Sequence, residues 1–136
     1  MKKINNKGFS LVELIVVIAI MAVLIGVLAP QFIQYVAKSR VSTDLQNIEE
    51  MITACDTYAT EHPSYTPEVT VADDAKSCSI DTTVATEYGI KNTYTFKATW
   101  SSPSITYSTT AGWTRTGTAT VKGGSYSLDG TFTATP

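Results

Sequence analysis

The feature that most constrains this 136-residue chain is an apolar run near its N-terminus. From Leu14 to Pro30 the sequence contains no charged residue, and the carboxylate of Glu13 stands immediately before the run. About 20 apolar residues allow a helix to cross the hydrocarbon core of a bilayer. A carboxylate inside or beside such a segment costs free energy, so Glu13 is a candidate functional residue whose partner has to be identified.

The residues before and after Glu13 form a specific pattern. A leader of residues 1–8 carries three lysines and ends at Gly8, and the sequence Phe-Ser-Leu-Val-Glu-Leu occupies positions 9–14. The apolar run follows and contains Pro30. This arrangement resembles the type IV prepilins. The resemblance covers about a third of the chain, and the remaining two-thirds carry no motif that we can assign to a family.

The resemblance implies a processing site and an assembly site. In type IV prepilins a leader peptidase cleaves after the glycine, and the new N-terminal phenylalanine is usually methylated. Carried onto this chain, cleavage falls between Gly8 and Phe9, Phe9 becomes N-methylated, and Glu13 lies four residues from a free amine. Phe9, Glu13 and Pro30 are the residues implied in assembly. Pro30 lacks a backbone N–H, so we expect the helix to kink or open there as subunits pack.

The resemblance also implies a function and partners. The chain would be a structural pilus subunit rather than an enzyme, with no cofactor and no metal. The precursor would be a single-pass protein of the inner (cytoplasmic) membrane. After processing it would polymerise with identical subunits into an extracellular pilus on the cell surface. The expected partners are prepilin peptidase, the pilus assembly ATPase and its platform machinery, and the expected roles are adhesion, twitching motility or biofilm formation.

Alternative functions remain open at this point. A pseudopilin of a type II secretion system or of a DNA-uptake apparatus shares the same N-terminus, although the acidic pair Asp73-Asp74 lacks the further oxygen ligands that calcium needs. A membrane-anchored adhesin or enzyme domain would fit the hydropathy. An ordinary signal peptide cleaved after Ala29 would have a shorter apolar region. The anchor and the signal peptide leave Glu13 unexplained.

The charge balance argues against a nucleic-acid partner. Removal of the leader lowers the number of basic residues from 10 to 7, against 12 acidic residues. A nucleic-acid surface needs clustered lysine and arginine, so no direct nucleic-acid binding is expected. The leader lysines precede the apolar run, which favours a cytoplasmic N-terminus and an external C-terminal domain.

The hydrophobic pattern predicts an α+β fold in which a long N-terminal helix packs on a small antiparallel sheet. Residues 1–8 are the leader, 9–36 the apolar helix and 37–136 a globular head. Within the head we expect an amphipathic helix over 37–62, a connector over 63–92 with a short strand at 68–71, and the sheet over 93–135. One helical face carries Val41, Leu45, Ile48, Ile52, Cys55 and Ala59. Charged residues, Asp44 among them, lie mostly off that face.

The apolar face of this helix allows two arrangements. A coiled coil between chains would bury it, but the strand-rich sequence that follows favours packing on a sheet of the same chain. There the period falls to two: Tyr94, Phe96, Ala98 and Trp100 alternate with polar residues, which predicts a strand. Gly123-Gly124 is a hairpin-turn signal.

The head carries few residues suited to chemistry. Cys55 and Cys78 are the two cysteines, and an even pair in a small exported domain favours a disulfide over two free thiols. Their spacing is not a metal pattern. The lone histidine, His62, precedes Pro63 at the expected end of the helix. No phosphate-binding loop or nucleophile elbow is present, so no catalytic residue is expected.

Overall fold

The computed structural model describes residues 10–135. Gly8 and Phe9, which carry the predicted processing site, lie outside the described residues. The chain separates into two compact units, Met1–Val36 and Ala37–Pro136. One helix, α1, extends from Leu11 to Glu61 and contributes residues to both. It ends immediately before His62 and Pro63, where the residue preceding proline is pushed out of helical geometry.

Two antiparallel sheets and a short helix complete the head. The elements after α1 are β1 (Thr70–Val71), β2 (Ser77–Ser79), α2 (Thr82–Tyr88), β3 (Thr93–Thr95), β4 (Ser101–Ser108), β5 (Gly112–Val121), β6 (Gly124–Ser127) and β7 (Phe132–Ala134). The first sheet has the order β1-β2-β3 and the second the order β4-β5-β6-β7. Helix α2 is capped by the Asp81 carboxylate, which accepts from the backbone N–H of Thr83 at 2.8 Å.

The sheets differ in two ways from the sequence expectation. Besides β1, which lies within the short strand expected at 68–71, the connector of residues 63–92 supplies β2 and α2, and β3 pairs with β2 rather than with β4. The hairpin after β5 turns at Lys122 and Gly123, because Val121 already pairs with Gly124. Gly123 has φ +89°, a conformation that glycine adopts without steric cost. Within the head, the predicted α+β fold is confirmed.

The apolar face of α1 in the head is buried within the same chain. Val41, Ile48, Ile52 and Cys55 expose between 0 and 6% of their surface. They form one core with Cys78 of the first sheet, Ile105 and Ala119 of the second sheet, and two residues that adjoin strands of the second sheet, Trp100 and Leu128. This face is therefore covered by the head itself, as the helix-on-sheet arrangement requires. The coiled-coil alternative is not what the structure adopts.

Asp44 corrects the sequence analysis, which placed it with the charged residues off the apolar face. Its exposure is 0%, and it is the buried charged residue of the described core. Oδ1 accepts from the Tyr94 hydroxyl at 2.6 Å and from the Lys97 backbone N–H at 2.8 Å. Oδ2 accepts from the Ala98 backbone N–H at 2.8 Å and from the Trp100 indole N–H at 2.9 Å.

These four hydrogen bonds explain why the predicted strand over residues 93–100 stops at Thr95. The backbone N–H groups of Lys97 and Ala98 donate to the Asp44 carboxylate. They are therefore not available to donate to carbonyl groups of a neighbouring strand. Burial and the hydrogen bond to Asp44 raise the pKa of the Tyr94 hydroxyl, so Tyr94 remains a donor at neutral pH. Hydrogen bonds to a charged group contribute about 1.5–3 kcal/mol each. Asp44 thus fixes the segment from Tyr94 to Trp100 against α1.

Two further acidic side chains of α1 reach β5 at the surface. Glu49 forms a salt bridge with Arg115, with Oε2 and Nη1 3.0 Å apart. Asp56 accepts from the Trp113 indole N–H at 2.9 Å. Both contacts are solvent-accessible, and exposed ion pairs contribute about 0–1 kcal/mol. They hold the inner strand β5 against α1, while the hydrogen bonds of Asp44 contribute more to stability.

We predict that Asp44→Ala lowers the free energy of unfolding of the head by at least about 3 kcal/mol, because one buried donor and three partly buried donors lose their acceptor. Denaturant titration of the full chain in detergent, followed by tryptophan fluorescence, measures this; Trp100 and Trp113 both lie in the head. The matched control is Glu49→Gln, for which we expect a change below about 1 kcal/mol. Equal midpoints for the two variants would contradict the assignment.

Candidate assembly site in the N-terminal helix

The first half of α1 is apolar on every side and uncovered. Large side chains from Leu11 to Tyr35 expose between 49 and 73% of their surface. An 18-residue window of this helix has a mean hydropathy of 3.1, and none of it is buried. Among the described residues this is the one helix whose length and composition would let it cross a membrane. Such a surface needs lipid or other protein around it.

Glu13 lies in the first turn of α1, and Ser10 begins that turn. The Ser10 hydroxyl accepts from the Glu13 backbone N–H at 3.2 Å, and the Ser10 carbonyl accepts from the Leu14 N–H at 3.1 Å. Ser-x-x-Glu is the sequence signature of a capping box, a signal that our sequence analysis did not use. A carboxylate in the first turn also interacts favourably with the helix dipole. Glu13 therefore has a local structural reason to be where it is, besides any partner in another chain.

Pro30 lies inside α1, and the helix continues through it without interruption. Gly26, one turn earlier, has open space around the position of an added Cβ. A proline removes one backbone hydrogen bond from the helix, and a glycine lowers helix propensity. The two residues together make this turn the intrinsically weakest of the apolar segment, although it is helical in the single chain.

The expected disulfide between Cys55 and Cys78 is not present; both are free, buried thiols. Each has its own contact instead. The Cys55 Sγ lies 3.6 Å from the Glu68 carbonyl, and the Cys78 Sγ lies 3.6 Å from the Met51 Sδ. An even number of cysteines and an exported setting favour a disulfide, but neither specifies where two side chains point. Both residues serve as small apolar members of the core.

Burial changes the acidity of both thiols. Desolvation raises the pKa of Cys55, and it raises the pKa of Cys78 to about 12, with the Asp44 carboxylate adding to the second shift. A raised pKa lowers the fraction of thiolate, the reactive form, at neutral pH. The two cysteines are therefore inert structural residues in the folded head.

The head contains no arrangement of described side chains that suggests catalysis. The His62 ring stacks on Tyr58 with centroids 4.0 Å apart, and its Nδ1 lies 3.1 Å from the Tyr58 carbonyl. An open groove of about 500 Å³ runs along α1 beside Tyr88 and Ile90, and its lining includes neither the histidine nor a cysteine. Within residues 10–135 no three potential metal-ligating side chains come together.

Comparison with known proteins gives a family match at the N-terminus. Residues 3–29 match the family described as the prokaryotic N-terminal methylation motif. This range contains Gly8, Phe9 and Glu13. No solved structure matches the chain.

Several curated proteins are similar over a longer range. The type IV major pilin protein PilA of Myxococcus xanthus is 34% identical over 61 residues, which are 45% of this chain and 28% of the relative. A type IV major fimbrial protein FimA of Dichelobacter nodosus is 40% identical over 52 residues, or 38% of this chain and 33% of the relative. The type IV major pilin protein PilE of Neisseria gonorrhoeae is 33% identical over 87 residues, covering 64% and 52% of the two chains. The matched part of this chain thus spans only about a third of the first two relatives.

We predict that iodoacetamide at pH 8 leaves both thiols of the folded, unreduced protein unmodified, because their pKa values are raised and both side chains are buried. Denaturation without reductant should then allow two additions, counted by mass spectrometry. A denatured, unreduced chain that takes up no iodoacetamide would show that the disulfide forms after all.

Proposed function

We propose that this chain, which belongs to the type IV pilin family, is a structural subunit of a type IV pilus and acts by polymerisation rather than catalysis. The observation that carries the proposal is the uncovered apolar half of α1 with Glu13 at its start. The relatives named as major pilins favour a pilus subunit over a pseudopilin. The single-pass membrane state and the later position on the cell surface belong to the same proposal.

The mechanism follows from where the apolar surface can go. Before assembly, lipid surrounds the segment from Leu11 to Tyr35. After cleavage by prepilin peptidase, the assembly machinery moves the subunit from lipid into a bundle of identical helices. Apolar surface stays away from water in both states, so the transfer between them has no large hydrophobic barrier. The weak turn between Gly26 and Pro30 lets the helix adjust its local geometry as neighbours pack against it.

Glu13 supplies what an apolar bundle lacks, namely a fixed register. Leucine, isoleucine and valine side chains pack almost equally well after one helix slides by a turn past another. In the proposed fibre the Glu13 carboxylate pairs with the Phe9 amine of a neighbouring subunit. The net stability of a buried pair is small, because desolvation offsets the attraction, whereas an unpaired buried charge is strongly penalised. Registers that leave Glu13 unpaired are therefore disfavoured.

We predict that protein recovered from filaments begins at Phe9 and carries one methyl group on its amine. Mass spectrometry of the N-terminal peptide tests this. Gly8→Val is the matching variant: a bulky residue before the cut should leave the chain as the full precursor in the membrane fraction. An N-terminus at Met1 or after Ala29 in filaments is incompatible with the proposal.

We predict that Glu13→Gln and Glu13→Val both reduce sheared filament yield at least tenfold while membrane insertion is unchanged or improved, because the cost of inserting the charge is gone. The glutamine variant is decisive, since glutamine also serves in a capping box but cannot form the ion pair. Ser10→Ala is the control; it removes the observed cap and keeps the charge, and filaments should still form. Normal filaments from Glu13→Gln together with failure of Ser10→Ala would assign Glu13 to helix capping instead.

A further inference from the structure

A groove of about 200 Å³ lies where the head begins on α1. Three parts of the chain line it: residues 37, 40 and 41 of α1, the segment 97–99, and residues 119–121 at the end of β5. Two of the lining side chains, Arg40 and Lys97, are cationic, and both are exposed. None of the described residues that line this groove is acidic. We define it as the basic groove.

A groove lined by cations without a carboxylate contrasts with the rest of the head. Residues 37–135 contain eleven acidic residues and seven basic ones. The grooves beside Tyr88, Lys91, Trp113 and Tyr107 each include at least one aspartate or glutamate among their lining residues. An anion that the rest of this surface repels is therefore attracted at the basic groove.

Asp44 holds the two cations at the same groove without neutralising them. Arg40 lies one helical turn before Asp44, and the Lys97 backbone N–H donates to Asp44 Oδ1 at 2.8 Å. The two Asp44 oxygens already accept four hydrogen bonds, and the side chain is fully buried. The one salt bridge of residues 10–135 joins Glu49 and Arg115, so Arg40 and Lys97 have no carboxylate partner there. An anion in the groove would offset the repulsion between the two cations.

The lining of the groove suits a phosphate group. A guanidinium donates two parallel hydrogen bonds to phosphate oxygens, and a lysine ammonium binds phosphate as a point charge. Thr99 and Thr120 also line the groove, and their hydroxyls can donate to further oxygens. The volume lies below the range of about 300–1,000 Å³ that is usual for sites of drug-sized ligands. The groove therefore fits a headgroup-sized anion.

The position of the groove along α1 indicates which phosphate is available. No charged residue occurs between Glu13 and Lys38, and α1 is helical throughout this range. At 1.5 Å per residue, Arg40 lies about 40 Å along the helix from Glu13. A bilayer is about 40–45 Å thick when its headgroup layers are included. A helix that crosses the bilayer with Glu13 at one surface therefore carries Arg40 at the opposite headgroup layer, where lipid phosphates are concentrated.

We propose that the basic groove binds the phosphate of an anionic phospholipid in the leaflet beside the head. This inference rests on the membrane state within the proposed function and adds a partner that the N-terminal motif does not imply. In phosphatidylcholine the choline cation lies next to the phosphate, whereas the phosphate of phosphatidylglycerol has no such cation. Two protein cations therefore attract phosphatidylglycerol more strongly, and salt weakens that attraction.

The test is native mass spectrometry of the full chain in detergent, with phosphatidylglycerol or phosphatidylcholine added at equal concentration. We expect phosphatidylglycerol adducts to dominate. Arg40→Gln with Lys97→Gln should lower the ratio of the two adducts at least about fivefold, because each basic residue near an anionic lipid surface contributes about that factor. Lys76→Gln with Lys91→Gln is the matched control. It removes the same charge from exposed positions outside the groove and should leave the ratio unchanged.

A second variant separates charge from any effect on folding. Arg40→Lys with Lys97→Arg keeps both cations and should retain most of the phosphatidylglycerol preference. The leader lysines are present in every variant, so their contribution to lipid binding cancels in the comparison. An unchanged ratio in the double glutamine variant, or an equal loss in the control pair, would overturn the proposal.

The masses of the adducts also distinguish other occupants of the groove. Inorganic phosphate adducts as abundant as those of phosphatidylglycerol at the same concentration would overturn the assignment to a lipid. Dimers that replace lipid adducts, and disappear in Arg40→Gln with Lys97→Gln, would identify the acidic surface of a second copy as the occupant instead. Filament formation plays no part in this measurement. A missing lipid preference in a chain that still forms filaments would therefore overturn this inference alone.

Discussion

The head is organised around one carboxylate placed where water cannot reach it. The Asp44 side chain is fully buried, and its two oxygens accept four hydrogen bonds from the segment between Tyr94 and Trp100. The one salt bridge of residues 10–135 joins other residues, so dipoles rather than a cation balance this charge. Between β3 and β4 the backbone donates to the Asp44 carboxylate instead of to a neighbouring strand. The chain can therefore leave the first sheet after Thr95 and begin the second at Ser101.

The two halves of α1 differ in what covers their apolar side chains. In the head, one side of the helix is apolar and the chain covers that side itself. Over residues 14–29 all sides of the helix are apolar, and none of the described residues buries them. The head can therefore vary in sequence as long as its own core is kept, whereas the first unit must suit surroundings that the chain does not provide.

Sequence patterns predicted the parts of the fold that depend on period and composition. The apolar segment, the buried face at Val41, Ile48 and Ile52, and the strand content of the C-terminal half are all of this kind. Contacts between distant residues were not predictable in this way. Helical periodicity assigned Asp44 to the polar side, and nothing local shows that two backbone N–H groups some 50 residues later would meet it. The orientation of Cys55 and Cys78 is equally a tertiary property. At the candidate site, the charge of Glu13 next to an apolar run identified it as a candidate functional residue. The Ser-x-x-Glu capping signal at Ser10 is also present in the sequence, but it was not among the predictions.

The uncovered half of α1 has a thermodynamic consequence for the chain as a whole. A domain that buries its own core has a folding free energy that does not depend on concentration. A surface that is buried only by lipid or by other subunits contributes a free energy that depends on their concentration. This free energy grows with the logarithm of the ratio between that concentration and the dissociation constant. The folding free energy of the head therefore belongs to the chain alone. The free energy of the apolar segment depends instead on the amount of membrane and on the number of neighbouring subunits.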